Sequence, residues 1–329
     1  MEYQSKEAWE LLTGVADYFE MMFDYLARMF SKFNESMKKF PKEDAITSLK
    51  AMSRLRSLYS VLMLSFPCFV IPPEKYEKSK REKVKEERLS RHGALTYYHW
   101  EAAKELPHAI LLAFSGLYAT SNALLRICVE SLMWGIIYDA LAKYEYRARV
   151  TKSFREMKVE KPNGKWKTMG EFLDFLGKND VGSAELLDML EGYERKPNIR
   201  DCMYQLKEWS LLEESELNQL KNTYYGNLSK FVHRSMPDYT DVGIRVIHDI
   251  YYGWVEFEVV PPMFLEFQGN AERALQPLIL ALTRYMSKII KENNYRLSKR
   301  VLNHLSNSAN ALGWNKLIDL LSSIESFFE

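Results

Sequence analysis

The chain has 329 residues, 47% apolar and 27% charged, enough to build two or three helical layers around a sizeable core. Against 44 Asp and Glu stand 45 Lys and Arg, and the resulting formal charge of +1 excludes coating of nucleic acid or membrane by bulk charge, so any electrostatic site must be a local patch. Cys68, Cys128 and Cys202 form no Cys-x-x-Cys pair, which argues against a disulfide framework or zinc knuckle and for small buried apolar residues in a reducing compartment.

The first forty residues read as one long amphipathic helix, with Leu12, Val15, Phe19, Met22, Leu26, Met29 and Phe33 at helical spacing. Glu7, Glu10, Asp17, Glu20 and Asp24 interrupt its apolar runs, so a signal peptide is not expected. After Pro41, the positions Ile46, Leu49, Met52, Leu55, Leu58, Tyr59 and Leu62 mark a second helix, antiparallel to the first. Phe66 to Pro73 reads as an extended connector, because Pro67, Pro72 and Pro73 cannot continue a helix. Glu74 to Arg91 is dense in Lys, Arg and Glu and reads as a solvated helix or a mobile arm.

Residues 94–106 and 108–145 are predicted as helices separated at Pro107, the second forming the centre of the core. It carries Arg126, Glu130 and Asp139, charges that would be costly in lipid and that favour a buried helix over a membrane span. Residues 146–168 are polar and basic, with a turn at Pro162, Asn163 and Gly164. Short helices follow near 169–177, 183–194 and 199–208, then a longer one over 213–234 that opens with acidic residues and ends before Pro237. Residues 242–260 hold β-formers around Gly253 and allow at most one small hairpin, closed by Pro261 and Pro262. Two helices, 271–294 and 297–328, complete the chain, the second interrupted near Gly313. The expected fold is an all-α multi-helix bundle in three regions: a helical hairpin and charged arm (1–92), a helical core (93–240), and a hairpin with a helical pair (241–329).

Several chemistries lack their motifs. No complete phosphate loop, Gly-x-Gly-x-x-Gly or Gly-x-Ser-x-Gly occurs, and the lone Glu-x-x-His, Glu105 with His108, spans Pro107 and reads as a helix break. Arg126 and Glu130 stand four residues apart and share one face of an apolar helix, as a structural ion pair or as an anion-binding or catalytic Arg held by its carboxylate. Ser229 and His233 are likewise one turn apart, and His233 reads as a structural helix-end residue or as part of a polar site with Arg126. Of the two basic stretches, one is the charged arm. The other holds Arg147, Arg149, Lys152, Arg155, Lys158, Lys161, Lys165 and Lys167 with Tyr146, Phe154 and Trp166, residue types that can hold phosphates and stack bases or can simply form a solvated surface.

The sequence Gly116-Leu117-Tyr118, then Ala123-Leu124-Leu125-Arg126 and Glu130, followed about a hundred residues later by Leu228-Ser229-Lys230-Phe231-Val232-His233, resembles the HEPN superfamily (higher eukaryote and prokaryote nucleotide-binding) over residues 94–240. The resemblance implies a bundle of four or five helices that often dimerises and, in active members, metal-independent RNA cleavage by an Arg, four intervening residues and a His. Here His233 matches the His, but Leu228 stands where those members carry Arg. The resulting expectation is a cytoplasmic, HEPN-like, RNA- or nucleotide-associated protein of a prokaryotic defence or stress system such as a toxin–antitoxin pair, with weak or no nuclease activity. Arg126, Glu130 and His233 would be its catalytic group, and Arg147, Arg149, Lys152, Arg155, Lys165 and Lys167 its nucleic-acid contacts. RNA, a protein partner or a second copy of the chain are the expected partners, with no membrane, cofactor or metal. The competing expectation is a non-catalytic interaction or scaffold protein in which Arg126, Glu130 and His233 form a structural polar cluster.

Overall fold

The structure, a computed structural model, describes residues 38, 41–114, 116–158, 166–178, 182–190, 198–229 and 261–329. Among these residues every named element is helical, and β-pairing is confined to the isolated bridges Lys158–Thr168 and Leu297–Phe328. The fold is an all-α multi-helix bundle. The helix expected over the first forty residues, apart from Lys38, and the hairpin expected over 242–260 lie outside the described residues.

The centre is an antiparallel pair, α4 (Gly93–Phe114) and α5 (Tyr118–Leu141). Leu95, Leu106, Leu125, Leu132 and Ile136 are fully buried in its seam. At the closest approach a Cβ added to Gly135 would lie 2.9 Å from the Tyr98 Cβ, so only glycine lets the helices meet there. The reversal uses Gly116 at φ 73°, with the Gly116 N–H donating to the Ala113 carbonyl and the Leu117 N–H to the Leu112 carbonyl, a left-handed helix stop that satisfies two carbonyls.

The break therefore falls near Gly116 and not at Pro107, which sits inside α4. A proline within a helix costs about 3 kcal/mol. Burial of Leu106 and Ile110 beside it offsets this, since each such side chain contributes roughly 1.5–3 kcal/mol. Two other prolines also differ from expectation. Pro67 begins a short helix, α2 (Pro67–Val70), so only Ile71–Pro73 is extended, and Pro261 begins a 33-residue helix ten residues earlier than the pattern suggested. The first turn of a helix makes no use of the N–H that proline lacks, so proline can start what it cannot continue.

Around the central pair, α1 (Lys42–Ser65) packs against the long helix α12 (Pro261–Asn293) and against α13 (Lys299–Leu312). Arg54 on α1 fastens all three, donating to Glu272 Oε1 at 2.7 Å, Glu272 Oε2 at 2.5 Å and the Leu312 carbonyl at 3.0 Å. The expected interruption at Gly313 is present, at φ 72°, and α14 (Asn315–Ser322) follows it. The charged arm forms helix α3 (Lys78–Arg91), anchored by Arg88, whose guanidinium lies over the Tyr295 ring and donates to the Arg296 carbonyl. No helix among the described residues is long and apolar enough to cross a membrane.

Candidate functional site

After α5 come the short helices α6 (Tyr144–Arg147), α7 (Lys152–Arg155), α8 (Met169–Lys178) and α9 (Ser183–Leu190), and the site forms where α5 meets helix α10 (Ile199–Glu208) and the stretch that follows α11 (Glu214–Lys221). Asn198 starts α10, its side-chain oxygen accepting from the Arg200 N–H at 3.0 Å. The acidic residues Glu214 and Glu216 open α11, as expected from the dipole. After Lys221 the helix widens into a π-helical stretch, Asn222–Leu228. Within it Tyr224 is buried against α5, while the next residue, Tyr225, remains 43% exposed. Wide turns of this kind are often found at functional sites.

Arg126 and Glu130 form the expected one-turn pair, with Arg126 Nε donating to Glu130 Oε1 at 2.8 Å. The same Nε donates to the Tyr224 hydroxyl at 2.9 Å, and that hydroxyl donates in turn to Glu130. The guanidinium also lies over the Tyr224 ring, 4.8 Å from its centroid. Burial pushes the Tyr224 phenol well above its usual range, and its bond to Glu130 adds to the effect, so the phenol stays protonated and donating. Arg126 Nη1 is buried without a hydrogen-bond partner. The two side chains retain 22% and 17% exposure, which places them at the rim of the core. Arg126→Ala should therefore cost about 1–2 kcal/mol, below the roughly 3–5 kcal/mol of a stranded buried charge, because water and Tyr224 can both reach Glu130. Urea titrations of mutant and parent decide this, and a loss above about 3 kcal/mol would make the pair a fully buried one.

Asn122, one turn before Arg126, continues the polar stripe on α5. Its side-chain oxygen accepts from Asn270 on α12 at 3.3 Å, and the Asn270 oxygen accepts from Asn227 at 2.9 Å and Arg273 at 3.0 Å. These amides tie the π-helical stretch to both α5 and α12.

Beside Tyr225 opens a cleft of about 380 Å³ lined by Asn198, Arg200, Lys221 and Tyr225. Lys221 Nζ donates to the Tyr204 hydroxyl at 2.9 Å and lies over the Tyr204 ring, and Arg200 approaches the same ring at 6.0 Å. Among the described residues neither cation forms an ion pair. Of two carboxylates nearby, Asp201 accepts from Ser153 and keeps its charge, and Glu214 pairs with Lys207 while also feeling the Lys221 ammonium. The Lys221 ammonium holds the Tyr204 hydroxyl below the usual phenol range, first through its hydrogen bond and then through its charge. Burial raises the Tyr225 phenol against the opposing pull of Arg200 and Arg126, so one ring feels both the cleft and the Arg126 cluster.

No family model matches the chain, and no curated protein or solved structure matches it. The site therefore rests on its own geometry.

Of the residues singled out in the sequence, Arg126 and Glu130 are together, and both bond to Tyr224 on the stretch after α11. His233 and Lys165 lie outside the described residues. The basic stretch from 147 to 155 packs along α10, but most of its charges have partners. Arg149 donates to the Glu208 carbonyl, Lys152 lies 3.7 Å from Glu156, and Arg155 pairs with Asp174 at 2.5 Å. Arg147 is part-buried, with Nε and Nη1 lacking hydrogen-bond partners, and the Lys167 backbone N–H donates to Glu171. Sequence reasoning missed Arg200, Lys221, Tyr204, Tyr224 and Tyr225. The adjacent Tyr224 and Tyr225 were the one local signal.

A second polar cluster lies in the core. Asp139 accepts from His92 Nδ1 at 2.7 Å, the Tyr285 hydroxyl at 2.6 Å and the Ser183 hydroxyl at 2.7 Å, and all four residues are buried. With no path to solvent it is a structural fastening. Among the described residues no group of three or more His, Cys, Asp or Glu is placed to hold a metal. Cys68, Cys128 and Cys202 are free and buried, and burial raises each thiol.

Proposed function

We propose that this chain binds single-stranded RNA at the cleft beside Tyr225, as a HEPN-like protein of a prokaryotic defence or stress system, with little or no cleavage. The observation that carries this reading is the pair of cations, Arg200 and Lys221, which form no ion pair among the described residues and stand next to the part-exposed rings of Tyr204 and Tyr225. Unpaired cations attract phosphate, and an exposed ring offers a base a stacking face. The basic stretch 147–155 lies along the same helix as Arg200, with most of its charges already partnered. The resemblance over residues 94–240 agrees with this reading. The absence of cleavage is supported by Leu228, which stands at the motif Arg position and is fully buried within the π-helical stretch. The scaffold reading is favoured by one observation, the bonding of Arg126 Nε to both Glu130 and Tyr224, which leaves that charge largely answered.

Filter binding of a single-stranded RNA at two salt concentrations tests the proposal. Retention should fall steeply with salt, and Arg200→Ala with Lys221→Ala should reduce the logarithmic salt slope by about 1.4, or about 0.7 per lost phosphate contact. Replacing Arg147, Arg149, Lys152 and Arg155 together by Ala should weaken binding less than the cleft pair does, because Arg149, Lys152 and Arg155 already have partners. Absence of salt-sensitive retention by the parent protein would discard RNA binding in favour of the scaffold reading.

A further inference from the structure

Resting on the RNA-binding reading, we propose that the cleft takes the phosphate-terminated end of an RNA strand, with Arg200 and Lys221 on the terminal phosphate and the Tyr225 ring under the adjoining base. Size is the first argument. At about 380 Å³ the cleft is near the lower end for small-molecule sites, room for one nucleotide. A strand passing through would instead need a groove that follows about 4–16 nucleotides.

Charge is the second argument. A phosphate within a strand carries a single negative charge, whereas a terminal phosphate approaches two at neutral pH. Arg200 and Lys221 supply two positive charges with no ion pair among the described residues, and Asp201, bonded to Ser153, and Glu214, paired with Lys207, offset them only in part from a distance. The start of α10, a ten-residue helix, adds a partial positive charge on the same side, although its Arg200 N–H is already capped by Asn198. The third argument is the aromatic wall. Tyr225 meets Tyr224 edge-on at 4.9 Å and is 43% exposed, so one ring is braced from within and open to the cleft.

Fluorescence anisotropy of the full chain with one short oligoribonucleotide in three forms tests this: 5′-phosphorylated, 3′-phosphorylated, and hydroxyl at both ends. A hydroxyl-ended oligomer two nucleotides longer matches the added charge, about two at neutral pH. At least one phosphorylated form should bind about tenfold tighter than both hydroxyl-ended forms, a charge-assisted contact's worth. Arg200→Ala with Lys221→Ala should abolish that preference. Tyr225→Ala should weaken the phosphorylated form about tenfold, and Tyr225→Phe should leave it unchanged, because stacking needs the ring and not the hydroxyl. Equal binding of all forms, or a preference that survives the double substitution, overturns the inference and leaves RNA binding standing. If no RNA binds, the proposed function fails, and calorimetric titration with AMP and with ribose 5-phosphate decides the cleft by itself. Tighter binding of AMP keeps the same phosphate-and-base chemistry with a free nucleotide as its source. No binding, or equal binding of the two, overturns it.

Discussion

Asp139→Ala should lower the folding stability by roughly 3–5 kcal/mol. The carboxylate is fully buried and answers three donors: His92 Nδ1 at 2.7 Å, the Tyr285 hydroxyl at 2.6 Å and the Ser183 hydroxyl at 2.7 Å. Removing it leaves those donors in a dry site with nothing to replace water. The loss also falls on several elements at once, since His92 is in the turn between α3 and α4, Asp139 on α5, Ser183 on the short helix Ser183–Leu190 and Tyr285 on α12. Burial pushes the Asp139 carboxyl up, but the adjacent His92 and the hydrogen bonds from His92, Tyr285 and Ser183 outweigh it and hold the group below the usual carboxylate range. A carboxyl with a lower folded-state pKa stabilises the fold above its unfolded value of about 3.9, and that stabilisation disappears as the pH falls through the folded value. The part of the stability gap between parent and Asp139→Ala that the carboxylate supplies, read from denaturant titrations, should therefore be fully present at neutral pH and be lost in strong acid, below about pH 4. A gap under about 1 kcal/mol at neutral pH would remove the cluster as a fastening.

Glu216→Ala should cost about 2–3 kcal/mol, less than Asp139 because its partner Arg284 keeps 16% exposure and two other acceptors. Arg284 grips Glu216 with both terminal nitrogens, at 2.6 and 2.8 Å, while the Glu213 N–H donates to the same carboxylate at 3.0 Å. Burial raises the Glu216 carboxyl, but Arg284 and the Glu213 N–H bring it below its ordinary value. The pair joins the start of α11 to α12, and α11 leads directly into the stretch that carries Tyr224 and Tyr225. A double-mutant cycle with Arg284→Ala isolates the interaction. A coupling below about 0.5 kcal/mol would reduce it to a surface ion pair.

The helical class, the apolar face of α1, the stop at Gly313 and the Arg126–Glu130 pair were legible in the sequence. Each depends on residues within one or two turns, where helix geometry alone brings side chains together. The prolines were harder to read. Pro107, Pro67 and Pro261 carry the same local signal, yet one lies inside a helix, where burial of its neighbours offsets the missing N–H, and two begin helices, where that N–H is not used.

The cleft and the buried cluster could be decided only by tertiary packing. Arg200 and Lys221 are on different helices, and nothing between them in the chain predicts a shared cavity. Asp139 was visible only as a charge on an apolar helix, since its partners stand 47, 44 and 146 residues away. Tyr224 and Tyr225 look alike in sequence, and the packing of the π-helical stretch on α5 and α12 puts one in the Arg126 cluster and leaves the other facing the cleft. Sequence by itself determined which local pairs could form. Packing of distant helices decided which polar groups are buried together and which face open space, because burial depends on what the rest of the chain brings to the same place.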